Sequence, residues 1–421
     1  MVDHEEVWKR RCQVTVNGSQ TLSKRAEAFL QPYYPKTAEG AKGCYLFAEG
    51  DQYIDLNGAL GAVTIGYGNP RCLNNLYKEI VEGVSLSLPT KIEEEAANIF
   101  VERCMWIDQV RFVKTGSEAN EAAIRIARIA TQREQILFFK HHYHGWHAQF
   151  QYHAEYHEGI PRHSFSHFRT FPATKEDLHF LEEDLKSKQY AAIILEPAHF
   201  QFTPTDKMIL SNIRKMCSDN GTLLIFDEVL TGFRFSTFGI AELSDIHPDL
   251  STYGKCLAQG LPLACVAGRE EIMQHSWVVS GTFGGDRVAL KALLNTFDFY
   301  EKNGVCEALH NAGNHLKQYL RAYGKNTIGL QCEGDGPRLC LSMDEAKGKH
   351  GWYSFLVGCL RAGLFLHPSG INMMYESSQQ KMLNEIEEGF SEAIEFVEAG
   401  GLTQEEMEVC QGPQPAWREQ G

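Results

Sequence analysis

Four short segments of this chain hold residue types that do chemistry. Lys255 lies between Gly254 and an apolar run that ends in Gly260-Leu261-Pro262. Lysine is rarely buried without a reason. A desolvated amine favours its neutral form and becomes a nucleophile toward carbonyl carbon. A surface lysine in a loop would leave the same trace. Leu224-Ile225-Phe226-Asp227-Glu228-Val229 puts two carboxylates at the end of an apolar strand. A buried Asp227 needs a positive or proton-donating partner, and a protonated heterocyclic nitrogen would serve. A helix-capping aspartate or an Asp-Glu metal site are the alternatives, the latter without a histidine at ligand spacing.

The third segment is Lys114-Thr115-Gly116-Ser117-Glu118-Ala119-Asn120, directly after the strand Arg111-Phe112-Val113. Gly116 permits a tight turn, and Ser117 is expected to cap the following helix. A helix N-terminus with free amides and a small hydroxyl suits a phosphate. An ordinary capped helix has the same residues, and the glycine-rich spacing of a dinucleotide or nucleotide loop is absent. The fourth segment is His141-His142-Tyr143-His144-Gly145-Trp146-His147, four histidines in seven residues. A zinc site wants paired, separated ligands, and adjacent residues point different ways. An aromatic and imidazole loop over a flat ligand fits better, with Tyr143 or Trp146 stacking on a ring.

These segments need a scaffold, and the pattern around them supplies one. The chain has 421 residues, 43% of them hydrophobic, enough for two domains with buried cores. Helical periodicity runs over Ile92 to Glu102, Glu118 to Ala130, Met208 to Asp219 and Val288 to Tyr300. Short apolar strands are expected at Val110 to Val113, Ile136 to Phe139, Ala191 to Leu195 and Thr222 to Phe226. Alternation of this kind means an α/β architecture, with a mostly parallel sheet covered on both faces. In such sheets ligands sit beyond the carboxyl ends of the strands, where all four segments fall. Cys44 to Phe47 and Gln52 to Leu56, around Glu49-Gly50-Asp51, are expected to form a hairpin. The tail from Gln411 is polar and expected to fray.

The formal net charge of −14 argues against nucleic acid or anionic membranes as partners. Twelve cysteines without paired C-x-x-C spacing suggest free thiols in a reducing compartment. Met1 to Arg11 has no apolar core of a signal peptide, and no stretch is apolar enough to cross a bilayer. The expectation is a soluble, cytoplasmic protein.

Taken together, the segments resemble the class III (subgroup II) aminotransferases, from about Gly43 to His367-Pro368. The resemblance rests on Thr115 to Asn120 with Ala127-Arg128, on Tyr143 to His147, on Leu195-Glu196-Pro197 and on Ile225 to Val229 with Thr231 to Arg234. It continues through Pro248-Asp249-Leu250, Gly254-Lys255 and Gly260-Leu261-Pro262, to Gly281-Thr282-Phe283-Gly284-Gly285. It implies a type I fold for pyridoxal-5′-phosphate (PLP) enzymes. A large seven-stranded, mostly parallel sheet domain would span residues 69–300. A small α/β domain would be built from both chain ends, residues 1–68 and 301–421. It also implies a homodimer with the active site at the subunit interface, and no metal.

Residue by residue, Lys255 would carry the cofactor as a Schiff base and shuttle a proton between substrate and cofactor. Asp227 would pair with the pyridinium nitrogen. Val229 and Tyr143 would pack on the two ring faces, with His144 in the same loop. Gly116 and Ser117 would hold the phosphate, completed by Thr282 of the other subunit. Glu196 would sit near the cofactor, and Gln201 would reach the ring oxygen as an amide donor.

Within the family, the stretch Asp227 to Arg234 is most similar to glutamate-semialdehyde aminomutases. Three stretches depart from that pattern. Ala59-Leu60 stand where it has Ser-Trp, and Gln201 where it has Asn. Thr282-Phe283-Gly284-Gly285-Asp286-Arg287 replace Thr-Leu-Ser-Gly-Asn-Pro. The expected activity is therefore aminotransfer from an amine donor to an aldehyde, ketone or keto acid, through the pyridoxamine form. An aminomutase-type isomerase or a racemase on the same fold is the alternative. A non-catalytic fold-mate would be expected to lack Lys255 or Asp227, and a zinc hydrolase built on the histidine loop would leave the other motifs unexplained. His153, His157, Arg162 and His163 are candidate substrate contacts, or parts of a solvated loop.

Overall fold

Apolar runs too short for helices dominate the middle of the chain, and they form strands. The computed structural model describes residues 3–151, 158–161, 164, 167–171, 178–368 and 370–412. The candidate contacts His153, His157, Arg162 and His163, and the tail beyond Gly412, lie outside the described residues. The described residues fall into two compact units, one from those up to Asn69 and from Glu307 onward, the other Pro70–Cys306.

The first unit begins with strands β1 (Ala38–Lys42), β2 (Tyr45–Ala48) and β3 (Asp51–Asp55), paired antiparallel in that order. The expected hairpin is present, turning at Glu49 and Gly50, both with positive φ.

The second unit holds β4 (Gln109–Val113), β5 (Gln135–Phe139), β6 (Phe168–Phe171), β7 (Tyr190–Leu195), β8 (Leu223–Asp227), β9 (Leu250–Tyr253) and β10 (Ala264–Gly268). They make one seven-stranded sheet in the order β4-β10-β9-β8-β7-β5-β6. All pairings are parallel except those of β10, which runs antiparallel to both β9 and β4. Every residue of β7, β9 and β10 is buried, as expected for strands covered on both faces. The chain returns to the first unit with β11 (Leu330–Asp335), β12 (Arg338–Met343), β13 (Leu364–Phe365) and β14 (Ile371–Asn372). β13 adds parallel to β3, and β11, β12 and β14 form a small antiparallel sheet.

The helix Gly116–Thr131 lies across the large sheet. Its Ala122, Ala123, Ile126 and Ala127 pack with Ile136, Ala192, Ile194, Ile225, Leu250 and Val266 in one buried cluster. Alanines on that face let the helix approach the strands closely, which fixes its register over β8 and β9. All twelve cysteines are free thiols. Among the described residues, no helix is long and apolar enough to cross a membrane. Ile225 is fully buried at the centre of this cluster. Ile225→Ala should therefore cost about 2–5 kcal/mol of unfolding free energy, measured by chemical denaturation. A loss well under 1 kcal/mol would show that the cluster repacks.

Candidate active site

Five strand ends converge in the second unit. β4 leads into Gly116 and Ser117, β5 into Tyr143 and His144, β7 into Glu196, β8 ends on Asp227, and β9 leads into Lys255.

Asp227 is the anchor. Its carboxylate is almost fully buried. Oδ2 accepts an N–H from Asn120 Nδ2 at 2.7 Å and one from His144 Nδ1 at 2.8 Å. A carboxylate oxygen accepts, which makes Nδ1 the donating nitrogen of the ring. Oδ1 accepts the Val229 amide at 3.1 Å, with the Thr252 hydroxyl at 3.5 Å. The opposite nitrogen of His144, Nε2, is buried with no partner among the described residues.

Lys255 is half-buried and has φ +46°, a left-handed backbone rare for a residue with a side chain. Strain of this sort persists only where surrounding structure imposes it, and it clusters at functional sites. Gly254 before it and Gly116 across from it both abut Val229. A Cβ at Gly116 would fall 2.8 Å from Val229 Cγ1, and one at Gly254 3.2 Å from it. Val229 thus sits between the two loops, and both glycines are needed to accommodate it.

The helix Gly116–Thr131 is capped differently from the expectation. Thr115, not Ser117, is the N-cap: its hydroxyl accepts the Glu118 amide while Glu118 Oε2 accepts the Thr115 amide. Ser117 is therefore inside the first turn. Its Oγ accepts the Trp146 amide at 3.2 Å, tying the phosphate-type loop to the histidine loop. Gly145, with φ +112°, permits this approach, since a Cβ there would strike Ser117 Oγ.

The histidine loop is zipped to β7 by two bonds. The Tyr143 amide donates to Glu196 Oε2 at 2.8 Å, and the Glu196 amide donates to His142 Nδ1 at 2.9 Å. Burial pushes the Glu196 carboxyl up, but His199 and His142 outweigh it and hold it below its usual range. The Tyr143 phenol is pushed up by burial, with the charges of Asp227 and Glu196 adding. The ring of Tyr143 still leaves 56% of the residue exposed, and Trp146 is 73% exposed. His142, Glu196 and His199 bring ligand-type atoms within 4.8 Å of one another. The Nδ1 lone pair of His142 is already committed to an amide, whereas a metal-bound imidazole makes its other nitrogen a donor. The cluster is built as a hydrogen-bonded clasp.

Gly116, Ser117, Tyr143, His144, Glu196, Asp227, Val229 and Lys255 thus surround the strand ends. Two positions stand apart from this network. Gln201 is exposed in the loop ahead of the helix Pro204–Asn220, and Thr282 is exposed in the Gly281–Gly285 loop. Asn120 and Thr252 had not been singled out from sequence. The signal for them is a polar side chain on the buried face of an alanine-rich helix, and a polar residue in a wholly buried strand.

The sequence profile of the class-III aminotransferases matches residues 31–379, and the chain belongs to this family. It is 32% identical over 377 residues to the glutamate-1-semialdehyde 2,1-aminomutase of Acetivibrio thermocellus, covering 82% of this chain and 86% of that one. It is 35% identical over 297 residues to the same enzyme of Syntrophobacter fumaroxidans, covering 66% and 68%. Among solved structures it is similar to the PLP internal aldimine form of FumI from Sphingopyxis sp. MTA144. That likeness has a TM-score of 0.86 at 23% identity, over 96% of this chain and 99% of that one. An omega-transaminase from Sphaerobacter thermophilus follows, with a TM-score of 0.82 at 22% identity over 93% and 97%. At such identities the likeness is one of fold, and it bears out the α/β fold read from the sequence. The family's cofactor is pyridoxal 5′-phosphate, and the site fits it. The buried, hydrogen-bonded Asp227 suits a ring nitrogen, the glycine-lined first turn of a helix suits a phosphate, and Lys255 supplies the amine.

Beside Asp227, Glu228 is fully buried. Its oxygens accept the amides of Ile240 at 3.0 Å and Ala241 at 2.8 Å and the Thr231 hydroxyl. Burial is the larger effect and pushes its carboxyl up to about 7. A folded-state value above the unfolded one favours the protonated form in the fold. Its stability contribution is complete below about pH 4.5 and is lost as pH rises toward about 7, by up to ~3 kcal/mol. Glu228→Gln cannot ionise. The variant should therefore gain stability relative to wild type between pH 5 and 7.5, measured by denaturant unfolding at both values. A difference that does not change with pH would refute the assignment.

Proposed function

We propose that the chain is a PLP-dependent isomerase of the aminomutase type, moving an amino group within one substrate of the glutamate-semialdehyde class. The observation that carries the reaction type is the extent of identity to the glutamate-1-semialdehyde 2,1-aminomutases. The cofactor chemistry is supported by the buried Asp227 and its donors. Pyridoxal 5′-phosphate, when bound, supplies an electron sink for negative charge on the carbon beside the substrate nitrogen.

The residues of this chain have separate tasks in that reading. Asp227 would face the ring nitrogen and hold its proton. The amides of Gly116 and Ser117 at the helix N-terminus would take the phosphate, where the dipole favours an anion. Val229 and Tyr143 would enclose the ring and keep water from it. Lys255 would hold the group through Nζ and then carry the proton taken from the substrate carbon.

A second reading, aminotransfer from a separate donor, is favoured by the departures at Ala59-Leu60 and Gln201. The two differ in stoichiometry. With glutamate 1-semialdehyde as sole substrate, the isomerase should form a product of unchanged mass without any added amine. A requirement for a donor, with its keto product appearing in equal amount, would overturn the isomerase and select the transaminase. Lys255→Ala should abolish the visible band of the holoenzyme and lower turnover ~10²–10⁴-fold.

The proposal includes a homodimer. Leu73, Tyr77, Ile80, Val81, Leu86 and Leu88 of the second unit, close together in sequence, are all exposed, Tyr77 at 78% and Leu88 at 77%. Contiguous apolar surface marks an interaction site. The exposed Thr282 is free to serve a neighbouring subunit. Sedimentation should give a dimer for the wild type and a monomer for Tyr77→Asp/Leu88→Asp. A monomeric wild type would refute the assembly.

A further inference from the structure

Asn120 uses every polar atom of its side chain, and each bond goes to a different element. Nδ2 donates to Asp227 Oδ2 at 2.7 Å and to the His144 carbonyl at 3.0 Å. Oδ1 accepts the Thr252 hydroxyl at 2.6 Å. Asn120 and Thr252 are both buried, at 2% and 0% exposure. The His144 carbonyl and the Asp227 carboxylate can only accept, so the amide nitrogen must face them, which leaves Oδ1 toward β9 to accept the Thr252 hydroxyl. Asn120 lies one helical turn after Gly116, so the helix that offers its first turn to the phosphate also carries this amide.

From this geometry we infer that Asn120, oriented by Thr252, is a positioning residue that aims the Asp227 carboxylate and locks that aim to the loop carrying Tyr143 and His144. The inference rests on the reading of Asp227 as the partner of the cofactor's ring nitrogen. Two donors share Oδ2, from Asn120 and His144. Without Asn120 the carboxylate retains His144 and the Val229 amide but loses the bond that joins it to the helix. The His144 carbonyl loses its tether at the same time. The aim of the carboxylate and the position of the Tyr143 ring should therefore loosen together. The charged and titratable groups around Asp227 are His144 and Tyr143 from the histidine loop, Glu196 at the end of β7 and Glu228 beside it. Asn120 is a neutral donor among them, so its removal changes geometry without adding or removing a charge.

The test uses the holoenzyme and four variants: Asn120→Ala, Thr252→Val, Thr252→Ser and Asp227→Ala. Alanine favours the helix, so Asn120→Ala should fold. Should it not, the Thr252 pair carries the test. Cofactor release during dialysis and the pH dependence of the visible absorption are read for each. Asn120→Ala is expected to speed release about ten- to hundredfold, the loss of a hydrogen bond to a charged group, and to displace the spectral pH midpoint. Thr252→Val should change both in the same direction by less, and Thr252→Ser, which keeps the hydroxyl, should match the wild type. Wild-type release and spectra in Asn120→Ala or in Thr252→Val, with Asp227→Ala losing the cofactor, would overturn the inference and leave the reading of Asp227 standing. Retention of cofactor with an unchanged spectrum in Asp227→Ala would overturn both.

Discussion

A carboxylate at the end of an apolar strand has to be satisfied, and the second unit is arranged around that requirement. Leu223 to Phe226 carry Asp227 out of the sheet's buried interior while leaving it only 4% exposed. An isolated charge there would be untenable. A helix side chain and a histidine from the loop after β5 donate to it, and β9 sets the Thr252 hydroxyl behind the helix amide, to which it donates. Each of those elements also brings a second group to the strand ends. The helix brings its N-terminal amides, the loop brings Tyr143, and β9 runs on into Lys255. Satisfying one buried charge therefore sets the relative positions of the helix N-terminus, the Tyr143 loop and Lys255.

Packing keeps those positions. The helix Gly116–Thr131 can lie over β8 and β9 only because its inward face is largely alanine. Val229 then fills the space that two absent Cβ atoms leave, at Gly116 and Gly254. A larger residue at either glycine would push the helix N-terminus or the lysine loop off Val229. The left-handed φ of Lys255 fits this view. The chain turns sharply out of β9 after Gly254, and buried Cys256 and Leu257 fix the turn.

Much of this was legible in the sequence for a simple reason. Short apolar runs flanked by helices announce parallel strands, and the four expected in the large sheet lie within about one residue of β4, β5, β7 and β8. The helix cap was misread at Ser117, although the spacing Thr115-x-x-Glu118 carries the capping-box pattern that places the cap at Thr115. The antiparallel entry of β10 was not legible, since Ala264–Gly268 is as uniformly apolar as its parallel neighbours. Nor was the contact between Asn120 and Asp227, 107 residues apart. It depends on how far the helix slides along the sheet, a matter of side-chain volume at several packed positions at once. Gln201, where this chain departs from the aminomutase pattern, lies exposed in its loop.

Three carboxylates near these strand ends show how environment sorts one functional group into different roles. Asp227 is surrounded by donors and presents a negative charge. Its neighbour Glu228, one residue along, also accepts three hydrogen bonds, yet complete burial outweighs them and favours the proton. Glu196 is half-buried, and neighbouring histidine, His199 first, outweighs the effect of burial and holds its carboxyl below the usual range. The difference between the last two is the presence of histidine. His142 is tied to the Glu196 backbone and His199 stands 3.7 Å from its carboxylate. The histidine-rich loop thus has an electrostatic task that needs no metal. It supplies Asp227 with a donor through His144 and holds the Glu196 amide through His142. The same few residues keep one carboxylate oriented and another ionised, on either side of the space that Tyr143 covers.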